Sequence, residues 1–535
     1  MTPPYALVSR RQAVKAALAG AATGPLAAAA IGPSFGVGIE GQRKADLGDG
    51  RFYNPIVPGD HADPTILKDG ADYYMTFSSF QSYPGAVIWH SQDLVNWAPI
   101  CAALSQAIGT VWAMDLIKHA GRYFIYIPVL QKAGTALYVI HADNIRGPWS
   151  APIDLGIPGC IDPGHVVGED GRRYLFVNGG RRVRLAADGL RTDGALESGA
   201  WTPWQYPKDW VVEMFAPEGP KLFRRGQWFY LVSAVGGTAG PATSHMVTLA
   251  RSRSVSGPWE HCPHNPIVRT ASSQEPWWSR GHASVVEGPS GEPGDWWMVY
   301  HAYENGMRTL GRQALLEPIE WTHDGWFRAK GGTLDKPLPK PRGGRPGPAG
   351  AALSDDFSRQ HLGLQWSFHA PGPDEASRLR FGASGLVIRG KGTALSDCSP
   401  LTCIVGDRSY EVAVELEISG DGHGGLALFY DERGHAGIAF STSQMLTYGY
   451  GQEHSWMREP VALRKVHIRL RNQENVLTFW CSPDGKDWRQ HPWQMEVSGL
   501  HHNAFGGFLS LRVALFSAGR GEVRARNFEY KGIAS

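Results

Sequence analysis

The chain has 535 residues, more than one compact domain usually holds, so two domains are expected. Its 20 Trp, 18 Tyr, 20 Phe and 66 Gly favour all-β architecture and sugar-stacking surfaces over helical bundles. Charged residues make up 19% and the formal net charge is +2, which excludes a global field that would attract nucleic acid or acidic lipid. No apolar run is long enough to span a membrane.

Residues 1–30 have the character of an export signal. Arg10, Arg11 and Lys15 precede a mildly apolar, alanine-rich run, Ala16–Ala30. This pattern resembles a twin-arginine signal peptide, and a disordered basic N-terminus is the alternative. We therefore expect a periplasmic or secreted protein without a membrane anchor in its mature form, with a polar linker over residues 31–50.

A repeated pattern begins at Asp63. This carboxylate is followed by an apolar run, Thr65–Leu67, a polar glycine turn and an aromatic run, Asp72–Phe80, which together predict a β-hairpin. The intervals between successive repeats, roughly 45 to 65 residues, suit four-stranded propeller blades. Five repeats predict a five-bladed β-propeller over residues 51–335.

The residues that open the repeats should meet at one end of the propeller axis, because the innermost strand of each blade lines the central channel. They are Asp63, Trp112 with Asp115, Asp162, Glu218 and His282.

A Pro/Gly-rich linker over residues 336–352 marks a domain boundary. Alternating runs such as Tyr410–Ile418 and Val466–Arg471 then predict a β-sandwich over residues 353–535, with Val523–Tyr530 as a final edge strand. The six cysteines show no zinc-binding spacing; Cys398 and Cys403 are close enough for a loop disulfide, and buried free thiols are the alternative.

Three carboxylates at the heads of inner strands suit the cleavage of a glycosidic bond. One must stay ionised to take a proton from water, and another must stay protonated to donate to the leaving oxygen. A third can raise the pKa of the acid by like-charge repulsion. A base and an acid about 6.5–9.5 Å apart leave room for the water and give inversion.

Several sequence motifs, taken in order, resemble those of glycoside hydrolase family 43, in the branch that includes β-xylosidases and α-L-arabinofuranosidases. The motifs are HADPTI, VWAMD, IDPGHVV, EGPKL, GGTAGPATSHM, SRGHASVV and TLGRQALLEPIEW. The resemblance covers roughly residues 52 to 330 and continues into the sandwich, for which it implies a concanavalin-like (jelly-roll) fold. The chain departs from the family at Ala62 and Met114, where proline is usual, which leaves the substrate preference open.

The resemblance implies a role for each carboxylate. Asp63 matches the general base, Asp162 the residue that tunes and orients the acid, and Glu218 the general acid. Glu213 competes with Glu218, but odd spacing along a strand would turn it to the other face.

The resemblance also implies the substrate-binding residues: Phe80 and Trp112 as apolar walls, Asp115 beside the pocket, His282 at the channel and Arg312 on sugar hydroxyls. The alternatives are core aromatics for Phe80 and Trp112, a loop hydrogen bond for Asp115 and an ion pair for Arg312. No cofactor is required. A structural calcium held through water near His282 is a further hypothesis, although the sequence lacks an acidic calcium loop.

The function expected is an exo-acting, inverting glycosidase that releases terminal β-D-xylose or α-L-arabinofuranose from hemicellulose-derived oligosaccharides. The alternatives are an endo-arabinanase or galactanase and a non-catalytic carbohydrate-binding propeller. The partner expected is a carbohydrate, not nucleic acid. The sandwich would be a lectin-like module, a stabilising cover, or a lid that lends an aromatic side chain to the pocket, with Phe516 as the candidate.

Overall fold

The computed structural model describes residues 35–533, and it is nearly all β, with 3% helix. The predicted export signal lies outside the described residues. Within residues 35–533, no helix has the length and apolar character needed to cross a bilayer. The predicted fold class, a five-bladed β-propeller followed by a concanavalin-like sandwich, is confirmed.

The propeller consists of five antiparallel sheets, and the third has only three strands. The first blade consists of Thr65–Asp69, Asp72–Thr76, Gly85–Ser91 and Ala98–Leu104. The second consists of Asp115–His119, Arg122–Gln131, Gly134–Ala142 and Ile153–Asp154, and Thr110–Val111 also pairs with Arg122–Gln131. The third consists of Gly164–Val167, Arg173–Val177 and Arg181–Leu185. The strands of the last two blades are Glu218–Arg225, Trp228–Val235, Met246–Ser252 and Glu260–His261, with Val268–Arg269; and Trp277–Glu287, Trp296–Glu304, Arg312–Trp321 and Phe327–Ala329.

The segment before the first blade closes the ring. Arg51–Phe52 pairs with Leu338–Pro339, and the amide of Ile56 donates to the carbonyl of Ala314 in the last blade at 2.9 Å. This pairing satisfies backbone groups that an open ring would leave at the edge of the last blade.

The sandwich is built on two 21-residue strands, Ser409–Phe429 and Arg512–Gly532, which pair along most of their length. The remaining strands are Ser367–His369, Leu379–Gly382, Gly385–Arg389, Leu401–Cys403, His435–Ser441, Gln444–Gly449, Gln452–Glu453, Glu459–Pro460, Lys465–Gln473, Val476–Ser482, Arg489–Gln490 and Met495–Glu496. The expectation of an edge strand at 523–530 is wrong, because Arg512–Gly532 has partners on both sides. The six cysteines are free thiols.

The propeller and the sandwich share a sheet. Ser82–Tyr83 of the first blade pairs with Ser367–His369 of the sandwich, and the buried Arg512 guanidinium lies 3.1 Å from the Asp60 carboxylate across the same boundary. The predicted linker is also packed, since Lys340 bonds Asp46 and Asp93 at 2.7 and 3.0 Å. The sandwich is therefore held over one end of the propeller.

Short helical segments complete the fold. They are the turns Ile39–Gly41, Arg308–Leu310, Glu375–Arg378 and Ser455–Met457 and the single α-helical turn His502–Phe505.

Candidate active site

Asp63, Asp162 and Glu218 meet at the axis of the propeller. The first two lie two residues ahead of the innermost strands of their blades, and Glu218 is the first residue of its own. The amide of Gly219 donates to Asp162 Oδ2 at 3.1 Å, and the charges of Asp63 and Asp162 both act on Glu218. The repeat pattern thus brings together three carboxylates that are 155 residues apart from first to last (63 to 218).

The backbone at these positions is unusual. Asp63, Asp162, Phe80 and His282 all have positive φ angles, between 51° and 59°. Side chains other than glycine rarely adopt this conformation, and strain of this kind concentrates at functional sites.

Glu218 and His282 lie at irregularities in their sheets. The pairing register shifts between Glu218 and Lys221, and again on both sides of Gly281, the residue before His282. Gly219 has a φ of 58°, and a Cβ there would approach the ring of His282 to 3.0 Å. A glycine after Glu218 therefore permits the close approach of two blades.

Asp63 is held in its ionised form. Burial favours the neutral carboxyl, but the Arg312 guanidinium 2.9 Å from Oδ1 outweighs it and lowers the pKa of Asp63 well below its usual value. The Ser78 hydroxyl donates to Oδ2 at 2.6 Å. Asp63 is the carboxylate best suited to accept a proton.

Three buried histidines surround this carboxylate. His301 Nδ1 lies 3.1 Å from both the backbone nitrogen and Oδ1 of Asp63, and Nε2 lies 3.2 Å from the Thr238 hydroxyl. Burial lowers the pKa of His245, His301 and His282, the last to about 3. The rings are neutral near pH 7, so they add no positive charge to the pocket.

The pKa values of Asp162 and Glu218 are raised, whereas that of Asp63 is lowered. Burial and the charge of Asp63 raise the pKa of Asp162 to about 7. Burial and the charges of Asp162 and Asp63 raise the pKa of Glu218 well above its usual value. One ionised and one protonated carboxyl at the same mouth form an acid–base pair.

Glu218, His245 and His282 also offer three possible metal ligands within 4.8 Å of one another. Both nitrogens of His245 and Nε2 of His282 lack a hydrogen-bond partner among residues 35–533. Two imidazoles and one carboxylate suit a transition metal better than calcium, which prefers oxygen ligands. This donor set does not favour direct ligation of calcium, and a calcium held through water near His282 stays a prediction.

Asp115 lies between blades, with both oxygens occupied. Oδ1 accepts from the Thr65 hydroxyl at 3.2 Å and from Lys221 Nζ at 2.9 Å, and Oδ2 accepts the amide of His165 at 2.7 Å. Lys221 Nζ also donates to the carbonyls of Met114 and Pro163. These contacts favour the structural interpretation of Asp115 over a substrate contact.

We expect Lys221→Met to lower the free energy of unfolding by about 3–5 kcal/mol, because it leaves the carboxylate of Asp115 buried without its cation. Denaturant unfolding followed by tryptophan fluorescence measures the loss. Adding Asp115→Asn to the same chain should recover part of it. A single variant within about 0.5 kcal/mol of wild type would show that the pair does not join the blades.

The walls of the pocket come from both domains. Phe80 is fully buried and Trp112 partly buried, and both pack against the core of the sandwich. The Arg312 guanidinium lies 5.8 Å from the ring centroid of Phe80 and 5.2 Å from that of Phe508, a sandwich residue. Arg312 therefore forms an ion pair with Asp63 and lies near two aromatic rings.

Phe508 belongs to a loop that covers the pocket. It follows the helical turn His502–Phe505, its ring stacks on His502 at 4.0 Å, and Asn503 accepts a hydrogen bond from Arg308 of the propeller at 2.9 Å. The expectation for Phe516 is wrong, because that side chain is buried inside the sandwich core. Phe516 lies on a strand interior, whereas only the loop reaches the propeller.

Four residues of the site were not predicted from the sequence: Ser78, His245, His301 and Phe508. His301 carries a signal in retrospect, since it is a lone histidine in a strand whose residues are all buried. His245 lies in the motif GGTAGPATSHM, which could have drawn attention to it. Ser78 and Phe508 have no local signal, because their roles depend on contacts between distant segments.

Comparisons with known proteins agree with this geometry. The family model of Glycosyl hydrolases family 43 matches residues 52–327, and that of the Beta xylosidase C-terminal Concanavalin A-like domain matches residues 354–531. A solved structure of a family 43 protein from Bacillus licheniformis superposes with a TM-score of 0.79 at 25% identity, over 90% of this chain and 100% of that one.

Two curated relatives are similar over part of the chain. A xylan 1,3-beta-xylosidase of Vibrio sp. is 31% identical over 52% of this chain and 58% of its own length. A non-reducing end alpha-L-arabinofuranosidase of Bacteroides ovatus is 30% identical over 59% of this chain and 61% of its own length. The chain thus spans less than two thirds of either relative.

Proposed function

Because the chain belongs to glycosyl hydrolases family 43, we propose that it is an exo-acting, inverting glycosidase that releases a terminal pentose from hemicellulose-derived oligosaccharides. The observation that carries this proposal is the opposite direction of the pKa shifts of Asp63 and Glu218 at one mouth. The names of the relatives support β-D-xylose and α-L-arabinofuranose as the pentoses.

In this mechanism Asp63 takes a proton from a water molecule that attacks the anomeric carbon. Arg312 and Ser78 fix both oxygens of Asp63, so the carboxylate need not reorganise as it takes the proton. At the same time Glu218 gives its proton to the leaving oxygen. The products are the pentose with inverted configuration and the shortened chain.

The covered pocket supports exo action. Phe508 and the turn His502–Phe505 lie over the propeller end that carries the three carboxylates, and Arg308 ties this loop down. An endo-acting enzyme needs an open cleft through which a polymer can pass. An end that a loop partly covers instead favours one terminal residue.

The proposal is tested by p-nitrophenyl β-D-xyloside, the α-L-arabinofuranoside and a long linear arabinan. We expect hydrolysis of at least one aryl pentoside and, from any polymer that is cut, monosaccharide alone. Early proton NMR spectra should show the product anomer opposite to that of the substrate. Mixed oligomers from arabinan would favour the endo alternative, and failure to cleave any glycoside would favour the binding-only one.

We expect Asp162→Asn to move the alkaline limb of kcat/KM to lower pH by about one unit. Glu218 must be protonated to act, so activity falls as pH rises through its pKa. Removing the charge of Asp162 stabilises ionised Glu218, which lowers that pKa. A rate profile on an aryl pentoside measures the limb; a uniform loss with the limb in place would show that Asp162 only orients the acid.

We also propose export through a twin-arginine signal, on the support of Arg10 and Arg11 ahead of the alanine-rich run. N-terminal sequencing of the protein from culture medium and periplasm tests it. An intact Met1 in exported material would contradict processing.

A further inference from the structure

Four aromatic side chains form a patch on the surface of the sandwich: Tyr450, His454, Trp456 and Trp493, here called the aromatic platform. Trp456 is 77% exposed and Tyr450 is 56% exposed. The ring of His454 lies 4.5 Å from both Trp456 and Trp493, at interplanar angles of 16° and 34°. Tyr450 meets Trp493 edge-on at 6.5 Å. Large aromatics left in water together are uncommon and mark binding surfaces.

The backbone is shaped to present this platform. Tyr450 has a φ of 51°, in the two-residue turn between Gly449 and Gln452. A Cβ on Gly449 would lie 2.2 Å from Cη2 of Trp493, and one on Gly451 would lie 1.9 Å from the Arg433 carbonyl. The glycines on both sides of Tyr450 thus let the turn pack closely, while an aromatic residue occupies a position where glycine or asparagine is usual.

The chemistry of the rim is polar and balanced in charge. Arg458 pairs with Glu453 at 2.5 Å, and Arg489 pairs with Glu459 at 2.6 Å. Two cations matched by two anions give no attraction for a polyanion or a polycation. Flat aromatic faces next to fixed donors and acceptors suit a neutral ligand with apolar C–H faces and equatorial hydroxyls, which is the chemistry of a β-linked sugar chain.

The platform is continuous with the loop that covers the pocket. The amide of Gly451 donates to the carbonyl of His435 at 2.9 Å, and Gly451 packs against Arg433. Arg433 donates to the carbonyl of Phe505 and lies 5.7 Å from its ring. Phe505 ends the turn that leads to Phe508, beside Arg312. A short series of contacts therefore joins the platform to the pocket wall.

We propose that the aromatic platform is a second carbohydrate-binding site, which holds the neutral xylan-type chain of the substrate on the sandwich. The platform explains why this domain exposes a tryptophan next to its pocket-covering loop. The choice of xylan rests on the proposed function; the existence of a sugar site rests on the platform itself.

The test is affinity electrophoresis of the full chain in native gels that contain soluble arabinoxylan. Free xylose and arabinose are added in excess so that the pocket is occupied. We expect wild type to be retarded, and Trp456→Ala to raise the apparent Kd about 2- to 12-fold, the range of one aromatic contact. Trp456→Phe should restore most of the retardation. Leu364→Ala, which removes another exposed apolar side chain of the sandwich (39% exposed), is the matched control and should migrate as wild type does.

Three results would overturn the proposal: unretarded wild type, equal retardation of wild type and Trp456→Ala, or retardation lost equally in Leu364→Ala. Size-exclusion chromatography of the same variants shows whether the platform instead binds a second copy of the chain, since Trp456→Ala would then dissociate a dimer without any change in gels with arabinoxylan. Failure here and failure of the proposed function are distinguishable, because hydrolysis of aryl pentosides is measured separately.

Discussion

Asp63→Asn should lower kcat/KM on an aryl pentoside by about 10²–10⁴-fold, the contribution of a positioned general base. The single amide oxygen can accept from Ser78 or from Arg312 but not from both, and the amide cannot take a proton from water. The variant also leaves the buried guanidinium of Arg312 without its anion, so some stability is lost with the activity. Initial rates and thermal unfolding must therefore be measured on the same preparation.

Asp60→Asn is the matched control for this variant. Asp60 lies three residues earlier, is also buried and carries the same functional group, but its Oδ2 pairs with Arg512 of the sandwich. We expect Asp60→Asn to lower the melting temperature and to change kcat/KM by less than about tenfold. If both variants lost activity in proportion to stability, or if folded Asp63→Asn kept the wild-type rate, Asp63 would not be the base.

The spacing of the repeats was sufficient to predict that the three carboxylates meet at one end of the propeller. Each lies at the head of a blade, so a pattern of hairpins is sufficient to place Asp63, Asp162 and Glu218 at one mouth. The same pattern says nothing of backbone angles. The positive φ of Asp63 and Asp162 and the bulge after Glu218 arise from packing between blades, which no single hairpin contains.

Contacts between domains explain what the sequence could not supply. Phe508 and Phe516 are both phenylalanines near the end of the chain, and only the loop geometry separates a pocket wall from a core residue. Similarly, the run 523–530 alternates like an edge strand, yet it belongs to a 21-residue strand with partners on both sides. Pairing of distant segments decides both cases, and local pattern does not report it.

Asp115 shows that a position in the repeat does not by itself determine the role of a residue. Like Glu218, it is the first residue of an inner strand. Lys221, 106 residues later, supplies a buried cation that turns it into a joint between blades. A position in the repeat therefore brings a residue to the axis, but the neighbouring blade determines whether it faces the pocket.

Glu218→Gln should give losses that depend on the leaving group. On a pentose disaccharide, whose leaving oxygen needs a proton, kcat/KM should fall about 10²–10⁴-fold. On a dinitrophenyl pentoside, whose leaving oxygen is stable as an anion, the loss should be under about tenfold, because no proton is needed. The alkaline limb of the rate profile should also disappear, since that limb reports the deprotonation of Glu218.

Glu213→Gln separates this role from that of a neighbouring carboxylate. Glu213 Oε2 accepts the amides of Ala239 and Gly240 at 2.9 and 2.8 Å, so it anchors a loop, and a glutamine oxygen can replace it there. We expect Glu213→Gln to retain the alkaline limb and to lose equal, small factors on both substrates. If instead Glu213→Gln showed the dependence on leaving group and Glu218→Gln did not, the acid would be Glu213, and the pairing of pKa shifts at the axis would no longer support the mechanism.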